Sequence, residues 1–251
     1  MHPNIHGWLD VNNRSLQTNT RLGAVLAYVA GATNAGGFLA VGTYTSHMTG
    51  VVSALADQLV LGNLVLAAAA LGALLAFLLG AMTTAWLVNW GLREKLASAY
   101  GLPLLLESAL LLIFGIFGAA IQVWSNFFVP LTVLLLCFIM GLQNAVITKI
   151  SKAEIRTTHV TGLVTDLGIE LGKLLYINRT QTSLAEPVRA NRQKLCLHLL
   201  LVSSFFIGAV SGAIGFKVLG YVTTLPLAIT LLLLVCRPLA LDVLQRLPQS
   251  R

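Results

Sequence analysis

Two histidines of this chain stand in nearly the same phrase. His47 lies in "YTSHMTG" (44–50) and His159 in "RTTHVTG" (156–162), so Thr-x-His-x-Thr-Gly is written twice, about 110 residues apart. An imidazole beside a membrane can carry a proton or ligate a solute. It can equally serve as a hydrogen-bonding strut within its turn. Thr49 and Thr161 have the chemistry of helix N-caps, since a hydroxyl accepts from the amides of the next turn, and Gly50 and Gly162 follow them directly. A helix that begins inside a bilayer turns its amides and positive dipole end toward an anion or a polar solute. The plainer alternative is a helix that starts at the headgroups. Lys149, Lys152 and Arg156 pull the second copy toward that alternative, because they belong in water.

The duplication extends upstream. Residues 31–50 align with 141–162 after a two-residue insertion, pairing Gly31 with Gly141, Asn34 with Asn144 and Ala35 with Ala145. The alignment continues with Thr45 and Thr157, His47 and His159, Thr49 and Thr161, and Gly50 and Gly162. Six of these seven identities are polar or glycine, which argues against chance in so apolar a chain. Asn34 and Asn144, with Gln143 beside the latter, are the expected polar lining of a pathway, since carboxamides bond across helices in lipid. Asp57, Glu107, Asp166 and Glu170 are the acids placed to carry charge. Glu107 follows Pro103 at a helix start, where headgroup-level placement is the plain expectation. No metal or cofactor is expected. The histidines belong to opposed segments, and Cys137, Cys196 and Cys236 lie inside apolar runs at no ligand or disulfide spacing. No nucleophile or acid–base constellation stands at catalytic spacing, so no enzyme and no catalytic residue is expected.

The elements that position these residues are written in hydropathy. Of 251 residues, 57% are hydrophobic and 10% charged, whereas a soluble domain is about one-quarter charged. Lipid must be the solvent of such a chain. A hydrocarbon core of ~30 Å needs ~20 helical residues, and six apolar runs qualify: 22–42, 63–90, 102–122, 128–150, 194–216 and 219–238. Between the first two lies "TGVVSALADQLVLG", and between the fourth and fifth "TGLVTDLGIELGKLL". At ~1.5 Å per residue each reaches only ~20 Å and cannot cross; Asp166, Glu170 and Lys173 make the second amphipathic, as for a helix on the inner surface.

Six crossings with a cytoplasmic N-terminus place fifteen of the sixteen Lys and Arg residues inside, Lys217 being the exception. The net charge of +7 is therefore a topology signal, and nucleic-acid binding is not expected. The chain divides into a cytoplasmic segment (1–21), two membrane units (22–125 and 126–240), each span–short helix–span–span, and a cytoplasmic tail (241–251). Three crossings per unit turn the second unit over, giving an all-α polytopic protein in two inverted halves with two re-entrant or interfacial helices. Inverted repeats are a recurring plan of transporters, with the site at mid-membrane. Small residues at four-residue spacing, Gly23, Ala27, Gly31 and Ala35 among them, mark close helix packing.

"AGATNAGGFLAVGTYTSHMTG" and "GLQNAVITKISKAEIRTTHVTG" resemble the paired signatures of the YoaK-like family of bacterial inner-membrane proteins, a domain of unknown function, over roughly residues 20–240. The resemblance implies a polytopic bacterial inner-membrane protein. It also implies an acid at the position of Asn34, where this chain departs from the pattern and loses any titratable group. Two functions fit: a transporter or channel for a small solute or ion between the halves, or a membrane scaffold presenting its basic loop (176–194), either of them open to homo-oligomer formation.

Overall fold

The computed structural model describes residues 16–121, 125–151, 155–177 and 187–246. Arg14, Lys152, Arg179 and Arg251, counted above to orient the chain, lie outside them, as do residues 178–186 of the basic loop.

The described chain is helical. Eight α-helices follow in order: α1 (Leu16–Val41), α2 (Met48–Val60), α3 (Leu64–Arg93), α4 (Leu102–Ile121), α5 (Ser125–Ile150), α6 (Val160–Leu175), α7 (Arg192–Leu219) and α8 (Thr224–Arg246). A 3-10 turn, Gly220–Thr223, joins the last two. Leu- and Ala-rich runs favour helix on intrinsic grounds, and lipid enforces it, because every backbone group must be satisfied within the segment. Among the described residues, four helical stretches are long and apolar enough to cross a membrane: Gln17–Val41, Leu64–Arg93, Phe128–Ile150 and Arg192–Leu244, the last running through both α7 and α8. This is an α-helical membrane-embedded protein.

Two helix ends differ from expectation. α1 begins before Arg21, because the polar Gln17–Thr20 stretch continues the helix beyond its apolar part. α8 runs past residue 240, and Asp242, only 7% exposed, accepts bonds from the Ala97 and Ser98 amides at 2.6 and 2.9 Å. Residues 241–246 thus continue the helix and staple the α3–α4 turn.

Packing is dominated by two long pairs, α1 on α7 and α3 on α5; α4 lies against α5 and α8. Glycine sets the approach in both pairs. A Cβ added to Gly31 would overlap the Phe205 carbonyl, and one on Gly208 the Tyr28 carbonyl. In the other pair Gly141 meets Phe77 in the same way, and Gly80 meets Phe138. Between lipid-soluble helices, contact this close is a principal source of attraction. The outer faces are apolar and open: Val65 is 83% exposed, Trp86 73% and Val218 72%. Patches of that character require lipid or a partner.

Candidate functional site

The short helices begin where the long ones stop. α1 ends at Val41, and the next residue, Gly42, has a φ of +73° that suits a glycine and donates its amide to the Phe38 carbonyl at 2.8 Å. The turn that follows is held by Asn34 of α1. Its Oδ1 accepts from the Ser46 hydroxyl at 3.0 Å and from the Ser46 amide at 3.3 Å. In the other copy, Asn144 Oδ1 accepts from the Thr158 hydroxyl at 2.6 Å. Each asparagine therefore clasps the residue just before its histidine. The hydroxyl at 46 and 158 escapes an identity search because it is Ser in one copy and Thr in the other.

The histidines, not the threonines, occupy the N-caps. His47 precedes α2, His159 precedes α6, and neither side chain caps its helix. Thr49 and Thr161 fall inside the first turns, so their expected capping role is corrected. The Thr-Gly pair has a different physical reason. Each imidazole folds back over the glycine three residues later, and a Cβ on Gly50 or Gly162 would collide with the ring of His47 or His159. Thr45 and Thr157 point inward, 1% and 0% exposed, with hydroxyls lacking partners among the described residues.

Both copies open on one cavity of about 1010 Å³. Its polar wall comprises Asn34, Ser46, His47 and Thr49 from the first copy and Asn144, Thr158, His159 and Thr161 from the second, with Thr148 and Arg156. Phe38 and Tyr44, stacked with centroids 4.6 Å apart, form part of the apolar wall with Phe77 and Phe205. Opposed segments could have placed the two histidines apart; here they share a chamber.

Other expected pathway residues lie elsewhere. Gln143 is fully buried and spends its Nε2 on the Leu26 carbonyl at 3.2 Å, so it ties α5 to α1 and does not line the cavity. Gly50, Gly162, Thr45 and Thr157 are not among the residues that line it. Asp57 is exposed on α2, outside the cavity. Glu107 is not at an exposed helix start: it sits in the second turn of α4, fully buried, and neither carboxyl oxygen has a partner among the described residues.

Asp166 and Glu170 line a second cavity of about 970 Å³ between the start of α1, α6 and the start of α7. Glu170 is 6% exposed, and its oxygens accept from Lys173 Nζ at 2.8 Å and from the Asn191 amide at 2.6 Å. The Lys173 bond, then the Asn191 amide, hold its carboxyl below the ordinary range. Asn191 in turn caps α7, its Oδ1 accepting from the Gln193 and Lys194 amides at 3.1 Å each. A carboxyl whose folded value is depressed stabilises above its unfolded value, roughly 4.3. That contribution disappears as pH falls through the lower folded value. Relative to its intrinsic pH-dependent rate, hydrogen exchange of residues 188–195 is expected to quicken in that acid window in the native chain. In Glu170→Gln it should be fast at neutral pH already and lose the acid step; an unchanged profile would refute the tether.

The sequence of residues 22–236 matches the family described as "Protein of unknown function (DUF1275)". No curated protein and no solved structure matches the chain. With the paired signatures clasped by Asn34 and Asn144 around one chamber, and the match spanning most of 251 residues, the chain belongs to the DUF1275 family, in keeping with its YoaK-like signatures.

Proposed function

We propose that this membrane protein moves a small polar solute or ion across the bilayer through the cavity between α2 and α6. The observation that carries this reading is the convergence of the duplicated segments: two phrases about 110 residues apart open on the same 1010 Å³ chamber. A chamber walled by carboxamides, hydroxyls and imidazoles inside an otherwise oily helix bundle has the composition of a solute site.

In this reading the chain crosses six times, with α2 and α6 as short re-entrant helices and both termini in the cytoplasm of a bacterial cell. The basic residues support that orientation. Several paired contacts support two halves turned over relative to each other. Gly31 against Phe205 is matched by Gly141 against Phe77, and Asn34 with Ser46 by Asn144 with Thr158. Helices interrupted near mid-membrane, at the interface of such halves, are where transporters hold their cargo.

The test uses single cysteines, Thr49→Cys and Thr161→Cys, in a chain whose Cys137, Cys196 and Cys236 are replaced. Membrane-impermeant thiol reagents applied from either side should reach both positions through the chamber. A solute that occupies it should slow labelling at both together. Labelling of each site from one face only, insensitive to any solute, would instead support a non-transporting scaffold.

A further inference from the structure

We propose that the chamber selects a small anion, binding its charged oxygens between the starts of α2 and α6 with Arg156 completing the site. This rests on the transport reading for the place of the site but adds the sign of the cargo. The two helices run 13 and 16 residues, and the side chains at their N-caps accept nothing from their first turns. Each start carries about half a positive charge, with first-turn amides that lack an acceptor, that of Met48 apart, which donates to the Ser46 carbonyl at 3.1 Å. Both starts lie at the same cavity wall. Arg156, exposed on that wall and without an ion-pair partner among the described residues, adds a full charge. None of the described residues lining the chamber is acidic.

A second observation is independent of the helix ends. Asn34 is only 8% exposed, yet it lines the chamber. Its Oδ1 is spent on Ser46, while its Nδ2 donates to nothing among the described residues. The residue is nine-tenths buried, and this nitrogen, unbonded and open to the chamber, presents its two N–H donors to whatever the chamber holds. Thr49 and Thr161 add hydroxyls beside the helix starts. The field is positive: a metal cation or an ammonium would be repelled, and an anion held by charge-assisted bonds. Inorganic oxyanions and short carboxylates share the required chemistry.

The experiment takes the full chain in detergent and follows thermal unfolding in sodium nitrate, phosphate, acetate and benzoate, against sodium gluconate at equal ionic strength. The same salts, with rubidium and glycerol as cationic and neutral solutes, are then tested for exchange in proteoliposomes. At least one anion should raise the midpoint saturably. Arg156→Gln should weaken its apparent affinity about ten-fold, and Arg156→Lys should recover most of it. Which anions respond separates oxyanion from carboxylate cargo. Anion binding without exchange leaves the sign of the ligand standing and refutes the carrier. Exchange of rubidium or glycerol with no anion response leaves the carrier and refutes the anion. Neither response refutes both, and an anion shift untouched in Arg156→Gln places the ion elsewhere and overturns the site.

Discussion

Gly141→Ala is expected to cost this protein about 3 kcal/mol, and Gly141→Val to leave no monodisperse protein after extraction. The added methyl of alanine would overlap the Phe77 carbonyl of α3, so backbone rather than a flexible side chain would have to give way. Relieving that overlap separates the whole α3–α5 pair, one of the two that hold the bundle together. Gly31→Ala should do the same to α1 and α7 through Phe205. The control lies in α6. A Cβ on Gly168 meets nothing within 4 Å, and its backbone needs no positive φ. There the same substitution should stabilise by roughly 0.5–1 kcal/mol, through helix propensity and lost freedom in the unfolded chain. Thermal midpoints of the three variants check the prediction; shifts of one sign would mean that close approach is not what the long pairs require.

Glu107→Leu is expected to raise stability by roughly 1–3 kcal/mol, the usual cost of a buried polar group with no bonding partner. The side chain is fully enclosed and both carboxyl oxygens lack partners among the described residues. Leucine fills similar volume with no polar atom to satisfy, and buried charged groups are often replaced by apolar ones at a gain. Ionisable residues kept inside a membrane are costly and generally serve a function. On the transport reading proposed above, solute exchange measured on the stabilised variant has its own expected result: loss of flux despite a sturdier fold. A less stable Glu107→Leu would contradict the account, because it would reveal a bonding role for the carboxyl.

What was legible in the chain follows from the range of the interaction concerned. Helix positions were readable because hydropathy and proline act locally; α3, expected over 63–90, forms as Leu64–Arg93. The starts of the short helices were readable to within a residue or two, but the capping residue was not. Threonine is the stronger capping type, and only the ring packing on Gly50 and Gly162 shows why histidine stands one position before each helix. Asn34 and Asn144 were recognisable as lining because the repeat marked them. Gln143 was misplaced for a geometric reason: one residue is about 100° of helix, enough to turn it from the chamber toward Leu26. The fate of Glu107 depends on α4 meeting its neighbours, and the shared chamber on α1 and α5 bringing distant turns together. Neither is encoded in any window of the sequence.

The carboxamide clasps bear on how the chamber can open. Each short helix is moored to its long neighbour through a single asparagine oxygen, by hydroxyl bonds of 3.0 and 2.6 Å. Bonds of this kind contribute about 1 kcal/mol net. Slipping the single Thr158 bond lowers the population about five-fold, and slipping both Ser46 bonds of the other mooring about thirty-fold, on the scale where 1.4 kcal/mol is a factor of ten. Thermal agitation alone would therefore visit the unmoored forms often. One turn can release while the other holds, so the opening of either clasp does not require the other's.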